Sequence, residues 1–70
     1  MNYTPPRYVL EFRCQGKMDW QDGSSFRCLN YAKQCVDATL KNIQCVLEGR
    51  VFDRKLMAYR YYRSAYPFKP

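Results

Sequence analysis

A chain of 70 residues in which 47% of side chains are apolar or aromatic can build one hydrophobic core and no more. This argues against a multidomain enzyme, a repeat array or a disordered chain. No apolar run approaches the roughly 18 residues of a membrane span. The opening Met-Asn-Tyr-Thr-Pro-Pro has neither the basic nor the apolar stretch of a signal peptide, so a cytoplasmic location is expected. Twelve Lys and Arg against six Asp and Glu give a formal net charge of +6.

Residues 1–6 read as a polar tail that Pro5-Pro6 keeps extended. From Arg7 to Cys14 the pattern has period two, with Tyr8, Leu10, Phe12 and Cys14 on one face and Val9, Glu11 and Arg13 on the other. Gln15-Gly16-Lys17 predicts a turn, and a short second strand over Lys17–Gln21 follows, carrying Met18 and Trp20 on one face. Asp22-Gly23-Ser24-Ser25 predicts a loop whose serines cap a helix from about Phe26 to Asn42. At 100° per residue Cys28, Leu29, Ala32, Cys35, Val36, Thr39, Leu40 and Ile43 form one apolar stripe. Asn30, Gln34, Asp37 and Lys41 cover the opposite side.

Period two then returns. Cys45, Leu47, Gly49 and Val51 alternate with Val46, Glu48, Arg50 and Phe52 in a third strand, where Gly49 marks a bulge or a close approach. Asp53-Arg54-Lys55 turns the chain into a fourth strand, Leu56 to Arg63, of undetermined register. Residues 64–70, with two prolines, read as an irregular tail. The expected fold is α+β: a single domain over residues 1–70, ordered β-hairpin, α-helix, β-hairpin, with one helix packed on a four-stranded sheet. The uncovered sheet face would present Val9, Glu11, Arg13, Val46, Glu48, Arg50 and Phe52, with some tyrosines of the fourth strand.

The chain has no histidine, so Ser-His-Asp and Cys-His catalysis have no base. The carboxylates Glu11, Asp19, Asp22, Asp37, Glu48 and Asp53 form no D-x-D or E-x-x-E pair, and no phosphate-binding glycine loop occurs. Cys14, Cys28, Cys35 and Cys45 lack the C-x₂₋₄-C spacing of a zinc knuckle. They are expected to be reduced and to pack as small hydrophobes, with Cys14 and Cys45 on the inward phase of their strands. Neither enzymatic activity nor a metal or other cofactor is expected.

Charge is unevenly spread. Residues 1–49 hold six basic and five acidic side chains, whereas residues 50–70 hold Arg50, Arg54, Lys55, Arg60, Arg63 and Lys69 against Asp53 alone. Phe52, Tyr59, Tyr61, Tyr62, Tyr66 and Phe68 lie in the same third. Arg50, Phe52, Arg54, Lys55, Tyr59, Arg60, Tyr61, Tyr62 and Arg63 are therefore the candidate binding residues, with the basic ones forming a positive edge around the final hairpin.

A hairpin ending in Trp20, a Ser25-capped helix carrying Ala32, and a strand reading Arg50-Val51-Phe52-Asp53 before a basic turn together resemble small phage and prophage accessory proteins. These include anti-CRISPR and other anti-defence factors. The resemblance implies a non-enzymatic protein that binds and blocks a host protein. A nucleic-acid-binding module, with Arg and Lys on phosphates and Tyr or Phe stacked on bases, is the alternative. A homodimer is also compatible with the pattern, and no membrane partner is expected.

Overall fold

In the computed structural model, which describes residues 4–66, the alternating segments become four strands and the apolar stripe becomes one helix. The elements are β1 (Tyr8–Cys14), β2 (Gln21–Phe26), α1 (Leu29–Asn42), β3 (Val46–Asp53) and β4 (Ala58–Ser64). They form one four-stranded sheet in the order β2-β1-β3-β4, antiparallel throughout, with α1 on one face. No helix among the described residues is long and apolar enough to cross a membrane.

The core lies between α1 and the two central strands. Ala32, Val36 and Leu40, four residues apart, are the buried ridge of α1. They meet Tyr8 and Leu10 of β1, Val46 and Val51 of β3, and Ala65. Full burial of a Val or Leu side chain contributes about 1.5–3 kcal/mol, so this small cluster supplies the main driving force.

Gly49 explains how closely the layers approach. A Cβ at that position would stand 2.8 Å from Val36 Cγ1 and 3.0 Å from Phe12 Cε1. Gly23 of β2 has the same relation to the other side of that ring, 2.9 Å from Phe12 Cε2. The Phe12 ring thus fills the space above a glycine on each neighbouring strand. Of the two sequence-level readings of Gly49, close approach is the one that applies.

Several boundaries differ from the expectation. The second strand is Gln21–Phe26 rather than Lys17–Gln21, and Met18 is left exposed in the preceding loop. Asp22-Gly23-Ser24-Ser25 is strand because Tyr8 pairs with Phe26, Val9 with Ser25 and Glu11 with Asp22. The serines consequently do not cap α1. Its N-cap is Cys28, with no side-chain capping bond, and the helix starts at Leu29. Cys28 and Ile43 lie beyond the helix ends and are exposed. Asp37, assigned to the solvated side, is half-buried and bonded to Tyr61.

Bulges account for the remaining differences. Between Arg13 and Cys14 the pairing steps from Glu48 to Val46, so Leu47 is an extra residue and the alternation of β3 reverses there. Val46 therefore joins the core instead of the open face, and Cys45 is exposed rather than inward. A second step, between Val51–Tyr61 and Phe52–Tyr59, makes Arg60 the extra residue of β4. The fourth strand begins at Ala58, after a turn over residues 54–57 in which Met57 adopts a left-handed φ of 52°. Ser64 belongs to β4 and Ala65 is buried, its N–H donating to Leu47 C=O at 2.7 Å, so neither is tail. Of the predicted tails, residues 1–3 and 67–70 lie outside the described residues.

Candidate binding surfaces

The sheet face opposite α1 is built from Val9, Glu11 and Arg13 of β1, Glu48, Arg50 and Phe52 of β3, and Tyr59 and Tyr62 of β4. Register sets acid against base across the central strands: Glu11 faces Arg50, and Arg13 faces Glu48. Both pairs close as ion pairs, with Arg50 Nε donating to Glu11 Oε1 at 2.7 Å. The Arg50 guanidinium also lies between two rings, 3.8 Å from the Trp20 centroid and 4.2 Å from that of Tyr59. Tyr59 meets Phe52 edge to face at 5.1 Å, and the Tyr62 hydroxyl donates to Glu48 Oε1 at 3.1 Å. Burial and this bond to Glu48 raise the Tyr62 phenol above its ordinary range. Tyr59 and Tyr62 nonetheless remain about half exposed, at 51% and 54%. Aromatic area is thus presented on a framework already locked by ion pairs and cation–π contacts.

The end of the sheet near the start of β1 is organised around Asp53, whose side chain is fully buried. Its carboxylate accepts from Arg7 Nε and Nη2, both at 2.8 Å, and from Arg60 Nη1 at 3.0 Å. It also accepts the backbone N–H groups of Lys55 and Leu56, which ties down the β3–β4 turn. The Arg7 guanidinium, then these amides and Arg60, hold the carboxyl well below the usual carboxylate range against the opposing effect of burial. Arg60 is therefore part of an internal clasp.

The same end carries a row of like charges. Tyr8 pairs with Phe26 on one side and with Asp53 on the other. Arg7, Arg27 and Arg54 each lie one step beyond those residues and so stand level on three adjacent strand ends. The Arg54 N–H bond to Arg7 C=O at 2.9 Å confirms the alignment. With Lys55, Thr4 and Pro5 these arginines line an open groove of about 450 Å³. A second groove of about 370 Å³, mostly apolar, runs between α1 and β2 past Leu10, Phe12, Phe26 and Ile43.

The nine candidate residues do not form one edge. Arg50, Phe52, Tyr59 and Tyr62 belong to the open face. Arg54 and Lys55 belong to the groove at the sheet end, and Arg60 reaches buried Asp53. Tyr61 turns under the sheet toward the helix, where its hydroxyl donates to Asp37 Oδ1 at 2.7 Å and accepts from Arg63 Nη1 at 3.2 Å. Lys33 Nζ lies 5.5 Å from its ring centroid. Burial, then the bond to Asp37, raises the Tyr61 phenol above its ordinary range. Sequence reasoning placed Glu11 and Arg13 on the open face but missed their ion pairs with Arg50 and Glu48, and it missed Trp20 as framework there. It also missed Arg7 and Arg27, which come from residues 1–49, where six basic side chains face five acidic ones. A basic residue just before the first residue of β1 and just after the last residues of β2 and β3 was the available signal, but reading it requires the register.

Comparison of the chain with protein-family models, with curated proteins and with solved structures yields no match.

Proposed function

We propose that the protein is a small non-enzymatic factor that captures a protein partner with an acidic surface, using the open sheet face and the β3–β4 hairpin. The observation that carries this reading is Arg50, fixed between Trp20 and Tyr59 and bonded to Glu11, beside two half-exposed tyrosines. Trp, Tyr and Arg are the side chains that dominate binding hot spots. Holding them in place beforehand lowers the entropy lost on docking. A net charge of +6 favours an acidic partner and speeds encounter. Within this reading, a phage-encoded inhibitor of a host defence or regulatory protein is the narrower proposal; of the pattern that suggests it, Ala32 on the helix and the strand Arg50-Val51-Phe52-Asp53 remain, whereas Trp20 precedes β2 and Ser25 does not cap α1.

Nucleic-acid binding is the second reading, and the arginine row at the sheet end supports it. Against it, the Arg50 guanidinium lies over the Trp20 and Tyr59 rings that bases would need for stacking. The deciding experiment is capture from a host lysate, with and without nuclease, by the wild type and by a Tyr59→Ala/Tyr62→Ala variant. A discrete partner that survives nuclease and is lost with the variant supports the proposal. Recovery that vanishes on nuclease treatment, or that the variant retains, overturns it.

A further inference from the structure

Of the cations at this end of the sheet, Arg7 is paired with Asp53, whereas Arg27, Arg54 and Lys55 have no carboxylate partner among the described residues. Like charges set side by side on neighbouring strands are destabilising. Here three strand ends carry Arg7, Arg27 and Arg54, followed by Lys55. The acidic group at this end is Asp53, already engaged by Arg7 and Arg60. Arg27 donates to the backbone carbonyl of Thr4 at 3.3 Å, a contact that leaves its charge uncompensated. The described residues place no carboxylate on the Arg54 or Lys55 side chains.

We propose that the groove lined by Arg7, Arg27, Arg54 and Lys55 is a binding site for a small polyphosphate ligand, with the phosphoryl oxygens bridging the row. Three adjacent strand ends span about 10 Å, from the usual strand spacing of roughly 4.8 Å. That span suits two or three linked phosphoryl groups better than a single oxyanion. The guanidinium forks of Arg27 and Arg54 can each donate to two phosphate oxygens, Arg7 adds charge while its fork stays on Asp53, and Lys55 adds a mobile point charge. The volume of about 450 Å³ falls within the range of small-ligand sites. The backbone on each side is fixed by the Asp53 clasp and by the Arg54–Arg7 bond, so the row is arranged before any ligand arrives. The site is separate from the open sheet face and does not depend on that face binding a protein.

The test is thermal denaturation at constant ionic strength with added pyrophosphate, inorganic triphosphate or, as a control, sulfate. The wild type is compared with an Arg27→Gln/Arg54→Gln variant, in which the Arg7–Asp53 clasp is kept. Pyrophosphate or triphosphate in excess should raise the wild-type Tm by at least about 4 °C beyond sulfate, a shift easily read for a domain of this size. The variant should lose that increment, and without ligand it should melt no lower than the wild type because the repulsion has been relieved. Equal shifts in wild type and variant, or none beyond sulfate, overturn the proposal. So does a DNA or RNA oligonucleotide that binds the wild type, is lost in the variant and is not matched by any pyrophosphate or triphosphate shift, since the row would then serve a nucleic-acid backbone.

Discussion

Arg7 holds Asp53 by both Nε and Nη2 at 2.8 Å, joining residues 46 apart in sequence across the central strand pair. This bidentate contact fixes the entry to β1 against the exit from β3. The same carboxylate orders the hairpin turn, so one buried acid connects two loops.

Replacing Asp53 with Asn should be among the most damaging single changes, lowering Tm by on the order of 10 °C or more, because Arg7 and Arg60 lose a buried counter-charge. The pH dependence has a definite sign. The folded state holds this carboxyl below its unfolded value. Its contribution is therefore present above the ordinary carboxylate range near pH 4 and is lost as pH falls toward the folded value. Acid titration of wild type and variant by circular dichroism checks this: the wild type should lose stability more steeply below about pH 4.

Gly49→Ala should cost roughly 1–3 kcal/mol, since its Cβ would collide with Val36 and with the Phe12 ring. Combined with Val36→Ala, which opens space at the same point, the two losses should sum to less than additive. Denaturant midpoints for the two single variants and the double variant measure that coupling. Additive losses would mean that the helix does not approach the sheet at this point.

Arg50→Ala should shift Trp20 fluorescence to longer wavelength as the indole loses its guanidinium cover, at a stability cost of about 1–2 kcal/mol. Arg54→Ala, at the sheet end, should leave the spectrum unchanged.

The cysteines should react with an alkylating reagent in two groups. Cys28 and Cys45 are exposed, whereas Cys14 and Cys35 are partly covered and pack against the core. Burial, followed by a hydrogen bond with Cys45, raises the Cys14 thiol above its ordinary value and keeps it from the reactive thiolate form. Mass spectrometry of the native protein should therefore show two rapid additions before two slow ones. Cys35→Ala should cost about 1–2 kcal/mol through lost packing.

Which elements could be read from the sequence depended on how far each carried its own pattern. β1 alternates cleanly, and Ala32, Val36 and Leu40 repeat at helical spacing, so both were legible together with the β-hairpin, helix, β-hairpin order. β2 was not, because Gln-Asp-Gly-Ser-Ser has the composition of a loop. Its strand conformation is imposed by β1, whose Phe12 ring needs Gly23 beside it. The inward turn of Val46 and the diversion of Arg60 follow from bulges, and register is a property of paired strands that neither strand states alone. The candidate site suffered in the same way. Counting charge by segment pointed to the C-terminal third, while the sheet recruits Arg7 and Arg27 from elsewhere.

The order β2-β1-β3-β4 also sets a timetable for assembly. β1 leaves the ribosome first but belongs inside the sheet, so one of its edges stays open until α1 and then β3 have been made. Until that moment Leu10 and Phe12 have only the polar strand β2 and an unfinished helix layer to shelter them. An open strand edge beside apolar residues is adhesive, and closing the distant β1–β3 pair is the slow step in a topology of this kind. Two nascent chains held close together could each supply the β3 that the other awaits.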